Sequence, residues 1–173
     1  MAELNLLVRL KTPDTVAVSA RLALRELMGH AELAALEREE LWRFRGDFEP
    51  AELTEELLEG SSRFVNPAKH TWRRVASLTG LEPPARRAGK AHGALVRKLD
   101  DFRGRDARAY CRNNLGLTGV EGVEYAVLWT LWLEGSAGGE NLAALVDCRA
   151  RDAGLLANPH CESWEPVVFE TSR

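Results

Sequence analysis

A chain of 173 residues, 45% hydrophobic and 28% charged, carries enough apolar material for one ordinary domain or for two small ones sharing a core, which excludes a disordered chain. A net charge of −3 supplies no basic surplus to neutralise phosphates and argues against nucleic acid as the main partner. No stretch approaches the roughly 18 apolar residues of a membrane span, and Cys111, Cys148 and Cys161 form no CxxC pair, so the expectation is a cytoplasmic protein with reduced thiols and no membrane partner.

The first element, "LNLLVRL", reads as an apolar strand. At Thr12-Pro13-Asp14 a helix begins, with Thr12 in the capping place and Pro13 at the first helical position. Val16, Ala20, Ala23, Leu24 and Leu27 recur at helical spacing, and Gly29 stops the run. "ELAALEREELWRFR" follows as an extended segment whose polar run Glu37-Arg38-Glu39-Glu40 suggests a bend or tight hairpin, an ambiguity that the strand-like matching stretch of the second unit settles as strand. A second helix opens at Pro50 and ends at Gly60. An Asn-Pro corner (Asn66-Pro67) then leads into the strand "TWRRVASL".

The segment 79–93, with paired prolines, glycines and basic residues, reads as a linker between a first unit, 1–78, and a second, 94–173. In the second unit "VEGVEYAVLWTLWL" is strand-like, rich in Val, Tyr and Trp. "ENLAALVDCRARDAG" is the matching helix, with Gly154 as its stop, and "SWEPVVFE" closes the unit. The glycines of "GSAGGE" lack a phosphate-loop pattern and read as a plain loop.

Laid over itself with an offset of 87, the chain matches Ala20/Ala107, Arg21/Arg108, Arg25/Arg112, Gly29/Gly116, Glu37/Glu124, Leu41/Leu128 and Trp42/Trp129 without a gap. An offset of 92 then superposes Asn66-Pro67 on Asn158-Pro159 and Trp72 on Trp164. The reading is a tandem duplication: two ferredoxin-like α+β repeats, helices on one face of antiparallel sheets, forming an intramolecular pseudo-dimer.

The candidate chemistry is thin. His160 beside Cys161 has no standard metal spacing and no identifiable base, and Cys111, in register with Ala107 and Leu115, reads as core. Trp42 and Trp129 read as core or half-to-half anchors, Trp72 and Trp164 likewise. Trp132 has no counterpart, falls on the opposite sheet face from Trp129, and is expected to mark a docking surface. An assembly module with no catalytic residues, metal or cofactor is favoured over an enzyme.

"LLANPHCESW" (Leu155 to Trp164), "GVEGVEYAVLWTLWLEG" and the variant corner "RFVNPAKHTW" resemble segments of the PurS family, the small subunit of phosphoribosylformylglycinamidine synthase, over nearly the whole chain outside the linker. The resemblance implies a non-catalytic subunit of an ATP- and glutamine-dependent ligase of purine biosynthesis, bridging its glutaminase and synthase subunits and capable of self-association. Carried over are Asn66, Pro67, Leu155, Leu156, Ala157, Asn158 and Pro159, as structural motif and partner contact. The Gly-Lys of the family's central segment is absent: Glu39-Glu40 and Ala126-Val127 stand there. The alternatives are a diverged module for a small molecule or another protein, and an enzyme using His160 and Cys161.

Overall fold

The structure, a computed structural model, describes residues 1–135, 142–149 and 154–170. It is α+β. Strand β1 (Ala2–Leu10) is followed by helix α1 (Thr15–Leu22), which runs into a π-helical turn at Ala23–Leu27. The long strand β2 (Leu33–Gly46), helix α2 (Pro50–Gly60) and strand β3 (His70–Val75) complete the first half. The same order follows as β4 (Lys90–Lys98), α3 (Phe102–Asn114), β5 (Val120–Leu133), α4 (Leu142–Val146) and β6 (Glu162–Val167). The six strands form one sheet in the order β3-β1-β2-β5-β4-β6. The order is compatible with a ferredoxin-like class. Among the described residues no helix is long and apolar enough to cross a membrane.

Packing divides the chain into two compact units that cut across the sequence halves. One holds Met1–Thr12, Glu39–Ser77 and Asp100–Ala126; the other holds Pro13–Arg38, Leu78–Leu99 and the described residues from Val127 on. In the first unit β1 pairs antiparallel with β2 (Leu4 opposite Phe44, Leu6 opposite Trp42) and with β3 (Leu6 opposite Arg74, Val8 opposite Trp72). Against the turn that precedes β3 lies α3, from the second half of the chain: Tyr110 stacks edge-on against Phe64 and donates its hydroxyl to Ser61 Oγ at 3.0 Å, and Arg63 pairs with Asp106. Trp42 meets Phe64 and Tyr125 with ring centroids 5.2 and 4.8 Å away.

The second unit repeats this arrangement with the roles exchanged. Here α1 supplies Ala17 and Ala20, and the π-helical turn Leu24, to a core made with Leu33 and Leu36 of β2, Ala94 and Val96 of β4, Trp129, Leu131 and Leu133 of β5, and Leu142, Leu145 and Val146 of α4. β4 pairs antiparallel with β6, Val96 opposite Trp164. The inward stripe of α1 and the turn that continues it is thus Ala17, Ala20 and Leu24, while Val16 and Leu27 point to solvent. An 8-residue helix of modest length draws most of its stability from such a stripe.

The helix entries are capped alike. Asp14 Oδ1 accepts from the N–H groups of Val16 and Ala17, and Asp101 Oδ1 accepts from Gly104 N–H, 87 residues after Ala17. The second oxygen of each aspartate reaches the residue 24 positions on: Arg38 Nε donates to Asp14 Oδ2 at 2.9 Å and Tyr125 N–H donates to Asp101 Oδ2 at 2.8 Å. The cap is therefore Asp14 rather than Thr12, because only its carboxylate can serve the helix and the strand together. Past the helices, Gly29 and Gly116 take φ of +79° and +71°, and Arg25 and Arg112 donate to the carbonyls of Leu33 and Val120.

β2 runs unbroken for 14 residues, the strand expected from the match to the second unit, with no bend or hairpin at Glu37-Arg38-Glu39-Glu40. Each of those four charges has an opposite partner: Arg87 for Glu37, Asp14 for Arg38, Arg73 for Glu39 and Arg103 for Glu40. With every charge paired, the run has no need to loop into solvent. At its other end the segment 79–93 is a connection only in part, since its last four residues, Lys90–Gly93, already belong to β4. α4 ends at Val146 rather than at Gly154. Gly154 answers another demand: a Cβ there would collide with the backbone of Leu145 and Val146.

The Glu39 side chain is 2% exposed and is held by Arg73 Nε at 3.1 Å and Nη2 at 2.7 Å. Stripping a buried carboxylate of its partner is costly, whereas loosening an exposed pair is not. Arg73→Ala is expected to lower the unfolding free energy by about 3 kcal/mol and Arg87→Ala by less than about 1 kcal/mol, read from urea unfolding midpoints.

Candidate functional site: the two Asn-Pro corners

Each corner follows two buried apolar residues, Phe64 and Val65 in one case, Leu156 and Ala157 in the other. Asn66 Oδ1 accepts from Ala68 N–H at 3.0 Å, and Asn158 Oδ1 accepts from His160 N–H at 3.0 Å. The Asn66 carbonyl takes the N–H groups of Lys69 and His70 at 3.0 and 2.7 Å; that of Asn158 takes those of Cys161 and Glu162 at 3.1 and 2.7 Å. Asparagine suits this place because its short amide closes the turn on its own backbone, and Pro67 or Pro159 fixes the φ of the next residue.

The fourth residue after each asparagine closes the ring. Asn66 N–H donates to His70 Nδ1 at 3.1 Å, and Asn158 N–H donates to Glu162 Oε2 at 2.7 Å. In both corners a strand begins at that residue, β3 at His70 and β6 at Glu162. The backbone is thus the same twice over, and the chemistry presented is not. Lys69 is exposed, and Lys11 Nζ donates to the Pro67 carbonyl at 2.6 Å, making the first corner basic. The second presents His160 and Cys161, with Glu162 paired to Lys98 at 2.6 Å.

The other sequence candidates separate. Leu156 and Ala157 are buried, but Leu155 is 44% exposed, so one leucine rather than two pins the chain before Asn158. Trp132 is 1% exposed and presents no docking surface; β5 is buried on both faces at this end, as Thr130 and Leu131 also show. Trp42 and Trp129 are buried anchors that touch residues from the other sequence half, while Trp72 is 41% exposed and Trp164 is half-buried against the α1 core. Residues 136–140 of the glycine-rich stretch and 150–153 of the expected fourth helix lie outside the described residues.

Nucleophile chemistry finds little support. Burial pushes the Cys111 thiol up to about 11, with Arg63 pulling weakly the other way. His92 sits at the start of β4 rather than in a free linker; burial, with Lys90 adding to it, holds its imidazole below the usual range. His30 Nδ1 faces Glu32 at 3.1 Å. Among the described residues, no three His, Cys, Asp or Glu side chains gather as a metal site would require.

Sequence reasoning missed the aspartate caps and the arginine-to-carbonyl bonds, although a signal was present. Arg25/Arg112 and Gly29/Gly116 are identities of the internal match, and each proves to be a place where side chain or backbone serves a turn.

No family model, curated protein or solved structure matches this chain.

The thiols sort by environment. With iodoacetamide at pH 8 the native protein is expected to alkylate at Cys148 and Cys161, both exposed, and to take up a third label at Cys111 only after denaturation, as counted by intact mass. Modification of native Cys111 at a rate matching Cys161 would contradict its burial.

Proposed function

We infer that the chain is a fused pair of PurS-like subunits, an intramolecular pseudo-dimer acting as a non-catalytic assembly subunit of phosphoribosylformylglycinamidine synthase. One observation carries the reading. Asp47 N–H donates to the Gly119 carbonyl at 2.9 Å in one unit, and Glu134 N–H donates to the Glu32 carbonyl at 2.9 Å in the other. Under the offset of 87, Asp47 matches Glu134 and Glu32 matches Gly119, so the two bonds are one bond with donor and acceptor exchanged between sequence halves. That reciprocity is what a fused isologous dimer would produce on a single chain, and it supports the reading.

The exchanged helices support the same reading. So does the frame repeated in the two corners, with their turns presented at the surface. In this reading the protein works in the cytoplasm without a cofactor and holds the glutaminase and synthase subunits together by contact alone. The absent Gly-Lys positions and the unlike chemistry of the two corners favour partner contacts that differ between the halves.

A second reading keeps the fused pair and changes its partner: a diverged module of the same family that contacts another protein. Its support is that same unlikeness of the corners. Pull-down with the tagged chain, in glutamine and ADP, against purified glutaminase and synthase subunits separates the two. The first reading expects a complex containing all three, resolved by mass photometry; failure to retain either subunit contradicts it and leaves the second.

A further inference from the structure

The sheet ends in two edge strands, β3 and β6, that occupy matching places in the two halves but differ in what they offer. Their backbone orientation follows from the ladder. Lys11 N–H donates to the Lys69 carbonyl, so in the antiparallel register with β1 the groups of Thr71, Arg73 and Val75 face β1. Those of Trp72 and Arg74 face outward. The same argument for β6, from the Leu99 N–H bond to the Cys161 carbonyl, turns Trp164 and Pro166 outward. Arg74 and Pro166 are equivalent, 92 residues apart.

Proline has no N–H, so β6 lacks a donor at that outward place, a common protection of an edge. β3 keeps its donors, at Trp72 and Arg74. Among the described residues β3 pairs only with β1. Its side chains add a charge preference: "HTWRRV" contains no acid, Arg74 and the neighbouring Lys69 are exposed, and Trp72 lays an indole 41% open to solvent beside them. β6, "ESWEPV", carries Glu162 and Glu165 instead.

We propose that the outer edge of β3 is a docking edge for an extended, acidic segment of a partner protein, which adds a strand by hydrogen bonds to Trp72 and Arg74, sets carboxylates against Arg74 and Lys69, and covers Trp72 with an apolar side chain. A second copy of the chain is disfavoured as occupant because pairing two such edges would bring Arg74 and Lys69 of one near those of the other. The inference rests on the edge itself and is independent of the purine-pathway reading.

The test uses the full chain, labelled with nitrogen-15, and the end-blocked peptide Thr-Glu-Thr-Val-Thr-Thr-Glu, which sets a glutamate and the valine two apart on one face and a second glutamate five places from the first, with its lysine-for-glutamate counterpart as control. Expected are amide shifts centred on Trp72 and Arg74, slowed hydrogen exchange at those two amides, and no response to the control. Arg74→Pro, which copies the β6 edge, is expected to weaken binding at least tenfold. Arg74→Glu is expected to weaken it by a similar factor and to admit the control peptide, which keeps the test decisive if the proline variant folds poorly. Absence of shifts at β3, or equal binding by the wild type and both variants, overturns the proposal. A concentration-dependent dimer of the free chain that Arg74→Pro abolishes also overturns it, by making a second copy the occupant.

Discussion

The cores beside α1 and α3 draw residues from both halves of the chain. Ala17 and Ala20 of α1 and Leu24 of the turn after it share their core with Leu33 and Leu36 of β2 and with β4, β5 and α4 of the second half, and α3 meets Phe64, Arg63 and Ser61 of the first. The rest of the structure follows from that exchange. β2 and β5 must be long because each contributes residues to both compact units, and the charges along β2 must find partners from several elements because the strand cannot leave the sheet. Burying a few apolar side chains of this size is worth several kcal/mol, of the order of a whole domain's net stability.

Much of the element order is legible in the residues. Alternation marks the strands, Pro50 and Gly60 bracket α2, and the internal match at offsets of 87 and 92 falls on positions that share a hydrogen-bond role. The exchange itself is not legible, because an apolar stripe records that a helix needs a partner and not which strands supply it. The bend that Glu37-Arg38-Glu39-Glu40 suggests on its own, before the second copy settles the segment as strand, has a related cause: a charged run reads as solvent-seeking until its partners, spread from Asp14 to Arg103, are brought near by the fold. Trp132 shows the converse. Its alternation with Trp129 separates their faces, but whether a face is covered depends on segments distant in sequence.

The corners tie fold to function. Their hydrogen bonds are matched one for one, which makes them rigid, and the side chains placed on that common frame differ in charge and chemistry. A repeated frame with unlike surfaces suits a chain that touches different partners through its two halves, as the proposed bridging role requires. The edge strands show the same division, β3 open and basic, β6 closed by Pro166 and acidic.

Expressing the two halves as separate chains, residues 1–86 and 87–173, tests the exchange most directly. If the cores need residues of both halves, neither fragment alone gives a folded monomer, and mixing or co-expression restores a one-to-one complex with the circular dichroism and cooperative melting of the intact protein. A single half that melts cooperatively as a stable monomer, with its own helix on its own strands, would contradict the account.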